Sequence, residues 1–158
     1  AETVFNVGDD ALDRQYRAIL SFNTGPTLPD GAVVTGATLS LKKVSVVGGS
    51  NPFTTLGYLY ADIKQGPFSG NAALQLTDFY AAGSKNYAAK YTSASTTWIS
   101  AALSSSALTY VNNTGGTQLR LRFATDDNDN GAANYIRFAS GDAITTSRPQ
   151  LVITYYVP

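Results

Sequence analysis

The chain reads as an all-β protein, a jelly-roll-like antiparallel β-sandwich with one or two short helices. Three observations lead there. First, apolar side chains recur at every second position through residues 117–156. Leu119, Leu121 and Phe123 alternate with Gln118, Arg120 and Arg122, Ile136 and Phe138 with Tyr135 and Arg137, and Leu151, Ile153 and Tyr155 with Gln150, Val152 and Thr154. A period of two sets one face of each strand on a core and the other toward water. Second, the links DDNDNGAA and GDAITTS between these runs are too short for crossover helices, which predicts antiparallel pairing in a meander. Third, Gly and Pro turn signals divide the rest of the chain into similarly short strands.

The elements follow in order. Residues 2–7 form a first strand, closed by the acidic turn GDDALD. QYRAILSFN, residues 15–23, places Tyr16, Ala18, Leu20 and Phe22 on one face and Arg17, Ile19 and Ser21 on the other. TGPTLPDG breaks the chain through Pro26, Pro29 and Gly31. Ala37, Leu39 and Leu41 then point one way and Thr38, Ser40 and Lys42 the other, while residues 43–47 either prolong that strand or begin another. GGSNPF is a loop by its Gly and Pro content. In residues 56–64, Leu59, Ala61 and Ile63 face inward and Tyr58, Tyr60 and Asp62 outward. Residues 65–94 are the hardest to place. Within them residues 71–81 have helical composition, with Leu74, Leu76 and Phe79 suited to one or two turns packed over the sandwich edge. TTWISAAL is a strand, with Trp98 in the core or half-buried. Residues 104–111 fit a short helix, capped by Ser104 or Ser105, carrying Leu108 and Val111 at i and i+3 and ended by NNTGG.

At 158 residues the chain is most economically one domain, residues 1–158, able to bury a two-layer core without metal or disulfide staples. Cysteine and histidine are both absent. That removes disulfides, thiolate metal sites, Ser-His-Asp and Cys-His nucleophiles and every ordinary zinc site. A carboxylate pair for glycoside hydrolysis remains conceivable, but the aspartates lie mostly in turn signals, where they cap the backbone, so no enzyme is expected. The formal net charge is zero, so no basic field invites nucleic acid. Thr, Ser, Ala, Asn and Gly supply the polarity and Glu2 is the only glutamate, a bias of secreted or cell-surface proteins. A removed signal peptide would account for a start at Ala1, and so would a boundary cut within a longer chain. No apolar run approaches the ~20 residues of a membrane-spanning helix.

Two kinds of site stand out. Asp126, Asn128 and Asn130, followed by Gly131, have the alternating spacing that wraps oxygens around calcium. The twelfth position is Arg137 and not a glutamate, so calcium would need help from Asp9, Asp10 or Asp142. The alternative is a polar loop capping its own backbone. Carbohydrate would need flat aromatic faces beside planar hydrogen-bonding groups. Tyr58 and Tyr60, about 6.8 Å apart on one strand face, offer one such surface. Tyr135 with Arg137, and Arg120 with Arg122, offer a second, whose guanidinium forks suit uronate carboxylates. The competing reading makes both faces ordinary cross-strand ladders, or puts them beneath the connection over residues 65–94. Asn112, Asn113 and Thr114 form a glycosylation sequon.

The succession RQYRAILSFNT, LPDGAVVTGATLSLK, NPFTT, TQLRLRFATDDND and RPQLVITYY resembles the DNRLRE-type β-sandwich domains, also described as family 96 carbohydrate-binding modules, of large secreted bacterial proteins. The resemblance spans nearly the whole chain. It implies a jelly-roll-like sandwich and, for some relatives, acidic polysaccharides such as alginate as ligands, although a fold does not fix a ligand. Such domains carry another β-segment ahead of the part that begins here near Val4, and its lack would leave an unpaired edge beside an apolar groove. Two functions follow. One is a non-catalytic extracellular module binding polysaccharide or a cell-surface glycan through tyrosine and arginine. The other is a structural subunit of an extracellular fibre, a homopolymer in which a strand from another copy fills the gap.

Overall fold

In the computed structural model, which describes residues 2–158, ten strands stack as two antiparallel sheets. They are β1 (Val4–Asp9), β2 (Gln15–Tyr16), β3 (Ala18–Asn23), β4 (Val33–Val47), β5 (Leu59–Gln65), β6 (Lys85–Tyr91), β7 (Trp98–Ala102), β8 (Gly116–Phe123), β9 (Asn134–Ala139) and β10 (Gln150–Tyr156). One sheet has the order β3-β8-β5-β6. The other runs β10-β4-β9-β1-β2, with β7 also paired to β4. The all-β sandwich demanded by the alternation is therefore the fold.

Alternation sorts the faces correctly. Leu119, Leu121 and Phe123 of β8 and Leu59, Ala61 and Ile63 of β5 meet Leu39 and Leu41 of β4 and Ile136 and Phe138 of β9 in one continuous apolar core. The Tyr91 hydroxyl crosses from β6 to donate to the Leu39 carbonyl at 2.8 Å, so this buried phenol keeps a partner. Burial pushes its pKa well above the usual value.

The partners are not those of a meander. β8 pairs with β3 and β5, β9 pairs with β1 and β4 in the opposite sheet, and β10 pairs with β4. The link over residues 124–133 carries the chain from one sheet to the other instead of turning a hairpin. The reason is physical: a period of two states which side chains face inward, whereas the ladder bonds are backbone groups common to every strand.

β4 resolves another ambiguity. Residues 43–47 prolong it, and it takes β10 along residues 33–40, β7 along residues 38–42 and β9 along residues 43–47, with a bulge between Lys43 and Ser45. The run over residues 15–23, in contrast, divides at Arg17, where the chain leaves β2 in one sheet and enters β3 in the other.

Helical structure is sparse. The one α-helical turn among the described residues, α1 (Pro52–Thr55), falls where a loop is expected, because Asn51 caps it by accepting the Phe53 N–H and Pro sits at its first position. The two expected helices are 3-10 turns at Leu76–Phe79 and Ser105–Tyr110. Leu74 and Leu76 do not pack over the sandwich edge; they are 79% and 97% exposed. A reciprocal cap between Gln75 and Asp78 turns Asp78 inward instead. No helix among the described residues is long and apolar enough to cross a membrane.

Leu121→Ala should cost about 2–5 kcal/mol by opening a cavity at a fully buried site, and Leu76→Ala less than about 0.5 kcal/mol. Urea denaturation of the two variants checks this, and equal losses would contradict the assignment of faces.

Candidate functional site

The outer face of the four-stranded sheet is split into a covered half and an open half, and Asp62 marks the boundary. Its position on β5 predicts an outward side chain, yet it is fully buried. β6 carries extra residues opposite it, the register passing from Ala61 with Ala89 to Ile63 with Lys85. This bulge bends Tyr87 into the left-handed region at φ 55°, an uncommon conformation for a bulky residue. The Tyr87 N–H donates to Asp62 Oδ1 at 2.9 Å. Arg120 and Arg122 of the neighbouring β8 donate to the same carboxylate, Arg120 from Nη2 at 2.9 Å and Arg122 from Nε at 2.9 Å. Burial raises the Asp62 pKa, but the bonds from Arg122, Tyr87 and Arg120 outweigh it, and the net shift is downward.

The covered half lies under residues 67–81. Phe68 is buried there, its N–H donating to Gln118 Oε1 at 2.7 Å and its ring 4.7 Å beneath the Arg120 guanidinium. Arg120 also donates to the carbonyls of Asp78 at 2.9 Å and Ala81 at 2.7 Å. Arg120 is therefore a structural cation, not a surface fork for a uronate. Arg122 shares Asp62 with it and retains partial exposure.

On the open half three tyrosines and two cations converge. Tyr58 and Tyr60 have ring centroids 6.4 Å apart and nearly perpendicular planes, and Tyr60 meets Tyr87 edge-on at 4.7 Å. Lys90 Nζ lies 4.5 Å from the Tyr58 ring centre and the Arg122 guanidinium 4.6 Å from that of Tyr87. Tyr60, Lys90 and Arg122 form one cross-strand row. Tyr58 and Tyr87 are 46% and 56% exposed, so each keeps ring surface for a ligand. The shape is a cradle of crossed rings in place of the flat pair that strand spacing suggests. Tyr87 and Lys90 escape the sequence pattern because the bulge interrupts alternation there; the only signal is the density of aromatic and basic residues in KNYAAKY.

Tyr135 and Arg137 lie on β9, in the other sheet, and so do not form a surface with Arg120 and Arg122. Tyr135 meets Tyr16 edge-on at 5.3 Å, an ordinary cross-strand contact, with Arg137 5.9 Å from its ring. The proposed calcium residues are divided as well. Asp126 pairs with Arg17, and Asn130 accepts the Ala132 N–H at 2.8 Å, capping its own loop. Asn128 gives its N–H to Asp9. Among the described residues no three His, Cys, Asp or Glu side chains gather as a metal cluster. The sequon residue Asn112 is engaged in its loop, accepting from Thr114 and donating to the Gly116 carbonyl.

A second feature runs along β3, whose outer edge has no strand partner among the described residues. Val4, Phe5, Ala18, Ile19 and Leu20 line a groove of about 460 Å³ between β1 and β3, and Leu74 at its rim joins it to an apolar hollow beneath Leu76 and Tyr80. On the opposite side, between β6 and β7, the Ser104 N–H donates to the Ala88 carbonyl at 2.8 Å and links the two sheets.

Set against family models, curated proteins and solved structures, the chain matches none of them. What fold and site define is an antiparallel β-sandwich with an aromatic and cationic cradle on one sheet.

Removing one partner of a buried ion pair leaves the others uncompensated, so Asp62→Ala should lose about 3–5 kcal/mol. The pH dependence has a definite sign. Because the folded-state pKa of Asp62 is depressed, its contribution is complete above the unfolded value of about 4 and vanishes as pH falls through the folded value. Denaturation measured between neutral and strongly acidic pH should therefore show Asp62→Asn with a flatter acid limb than the wild type; parallel limbs would contradict the network.

Proposed function

We propose that the chain is a non-catalytic extracellular or cell-surface module that binds acidic polysaccharide through Tyr58, Tyr60, Tyr87, Lys90 and Arg122. The cradle on the open half of the sheet carries this reading. Aromatic rings in water shed hydration when they meet the C–H face of a sugar. Lys90 and Arg122 add charge for carboxylates at the same surface. The cradle is stiff, since Tyr60, Lys90 and Arg122 belong to three paired strands and the Tyr87 backbone is tied to the buried Asp62. A preformed surface binds without the cost of ordering loops. The resemblance to DNRLRE-type domains points to the same ligand class and to secretion.

Affinity electrophoresis in gels containing alginate or polygalacturonate should retard the wild type, and added salt should weaken retardation. Tyr87→Ala and Lys90→Ala should each reduce affinity about tenfold, roughly 1.4 kcal/mol. Arg137→Ala should not. Absence of retardation by every uronan and neutral glycan tested would remove the carbohydrate reading.

The groove beside β3 favours a second reading, a fibre subunit that accepts a strand from another copy. An unpaired edge next to apolar surface is the geometry that strand addition uses. Light scattering decides it: assemblies that grow with concentration are expected, and loss of growth in Ile19→Lys would place the contact at β3. A discrete monomer at micromolar concentration would end the fibre proposal.

A further inference from the structure

Net neutrality hides a segregation of charge. The turn after β1 and the link from β8 to β9 lie against each other, with Asp13 accepting the Gly131 N–H at 3.0 Å and Asp9 the Asn128 N–H at 3.3 Å. These two segments carry the carboxylates of Asp9, Asp10, Asp13, Asp126, Asp127 and Asp129. Two arginines reach them, and both are engaged: Arg14 with Asp10 and Arg17 with Asp126. Asp9 is fully buried at the end of β1, and no cationic side chain among the described residues pairs with it.

Two oxygens at this junction are sealed from solvent without a hydrogen-bond partner, Asp9 Oδ1 and Asn128 Oδ1. The nearby Asn134 amide gives its N–H groups to Asn130 Oδ1 at 3.4 Å and to the Ala132 carbonyl at 2.8 Å. A buried carboxylate close to a second carboxylate and an unpaired amide oxygen is unfavourable unless a proton or a cation lies among them.

We propose that Asp9, Asp127 and Asn128 bind a hard divalent cation of the calcium class, through the two carboxylates and the Asn128 side-chain oxygen. An all-oxygen set containing two charges suits calcium and disfavours zinc or copper, which seek nitrogen and sulfur. The site differs from the alternating set that the loop spacing suggests, because Asp126 is held by Arg17 and the Asn130 oxygen is taken by its own loop, whereas Asp127 accepts the Asp129 N–H at 2.9 Å through Oδ1 and keeps Oδ2. A cation there ties the β8-to-β9 link to the end of β1, and so joins the two sheets. It requires nothing of the tyrosine cradle and stands whether or not a glycan binds.

Terbium, a calcium-sized ion whose luminescence is excited through nearby tyrosine, probes the site in the full chain after chelator treatment. Tyr16 and Tyr135 both pair with Gly8, next to Asp9. Saturable luminescence that calcium displaces is expected. Calcium at about 100 times its dissociation constant should raise the melting midpoint by about 5–10 °C. Asp127→Asn, on a partly exposed loop and so tolerant of change, should weaken terbium about tenfold or more. Asp126→Asn should stay within about twofold of wild type. A chain that gives no saturable terbium signal, and whose midpoint neither calcium nor magnesium shifts, overturns the proposal. Loss of binding in Asp126→Asn with retention in Asp127→Asn overturns it equally, by moving the ion to the alternating set.

Discussion

The buried carboxylate of Asp62 organises one whole face of the sandwich. A charge removed from water must be met by donors, and the three that meet it come from different places: Arg120 and Arg122 from β8 and the Tyr87 backbone from β6. Satisfying Asp62 brings in Arg120, whose remaining N–H groups need acceptors of their own. Residues 67–81 supply those acceptors as backbone carbonyls, which fixes that long connection against the sheet. The Tyr87 bond holds the bulge of β6 in a backbone conformation a tyrosine seldom adopts. Cover, bulge and cradle are thus consequences of one ion network. Networks of this kind stabilise less than their Coulomb energy suggests, but breaking one member is costly.

The same face consequently does two jobs. Where the connection lies over it, arginine and aromatic side chains are structural, with Phe68 beneath the Arg120 guanidinium. A few residues away, where the connection has left, the same chemistry meets water as Tyr58, Tyr87 and Lys90. Arg122 belongs to both halves. A ligand-facing side chain anchored on a buried carboxylate has little freedom to lose on binding, which is why such surfaces are built on strands and not on mobile loops.

Charge and edges are arranged unevenly around this core. A chain with no net charge keeps six of its carboxylates together at the junction of two turns and places Lys90 and Arg122 on the open half of the four-stranded sheet. Local fields of opposite sign can then act at separate places without an overall field that would draw in nonspecific partners. The sandwich likewise links its sheets on one side, where Ser104 reaches Ala88, and has on the other the edge of β3, without a strand partner among the described residues, and an apolar groove.

Much of this was legible in the residues. Alternation assigned the inward side chains of β4, β5, β8 and β9 without knowledge of any partner strand, because facing depends only on the pleat. The lack of histidine and cysteine likewise excluded whole chemistries at once. The partners of those strands were not legible, nor were the crossing of the chain between sheets at Arg17 and after Phe123. Asp62 read as exposed and Tyr87 did not register, and Arg120 read either as a surface fork or as lying beneath the connection over residues 65–94, a choice only the cover itself decides, since cover and bulge come from residues distant in the chain. Local pattern therefore determined the layers and the core. Only the tertiary structure decided which polar side chains are sealed under a connection and which face water, because burial depends on what the rest of the chain places above them.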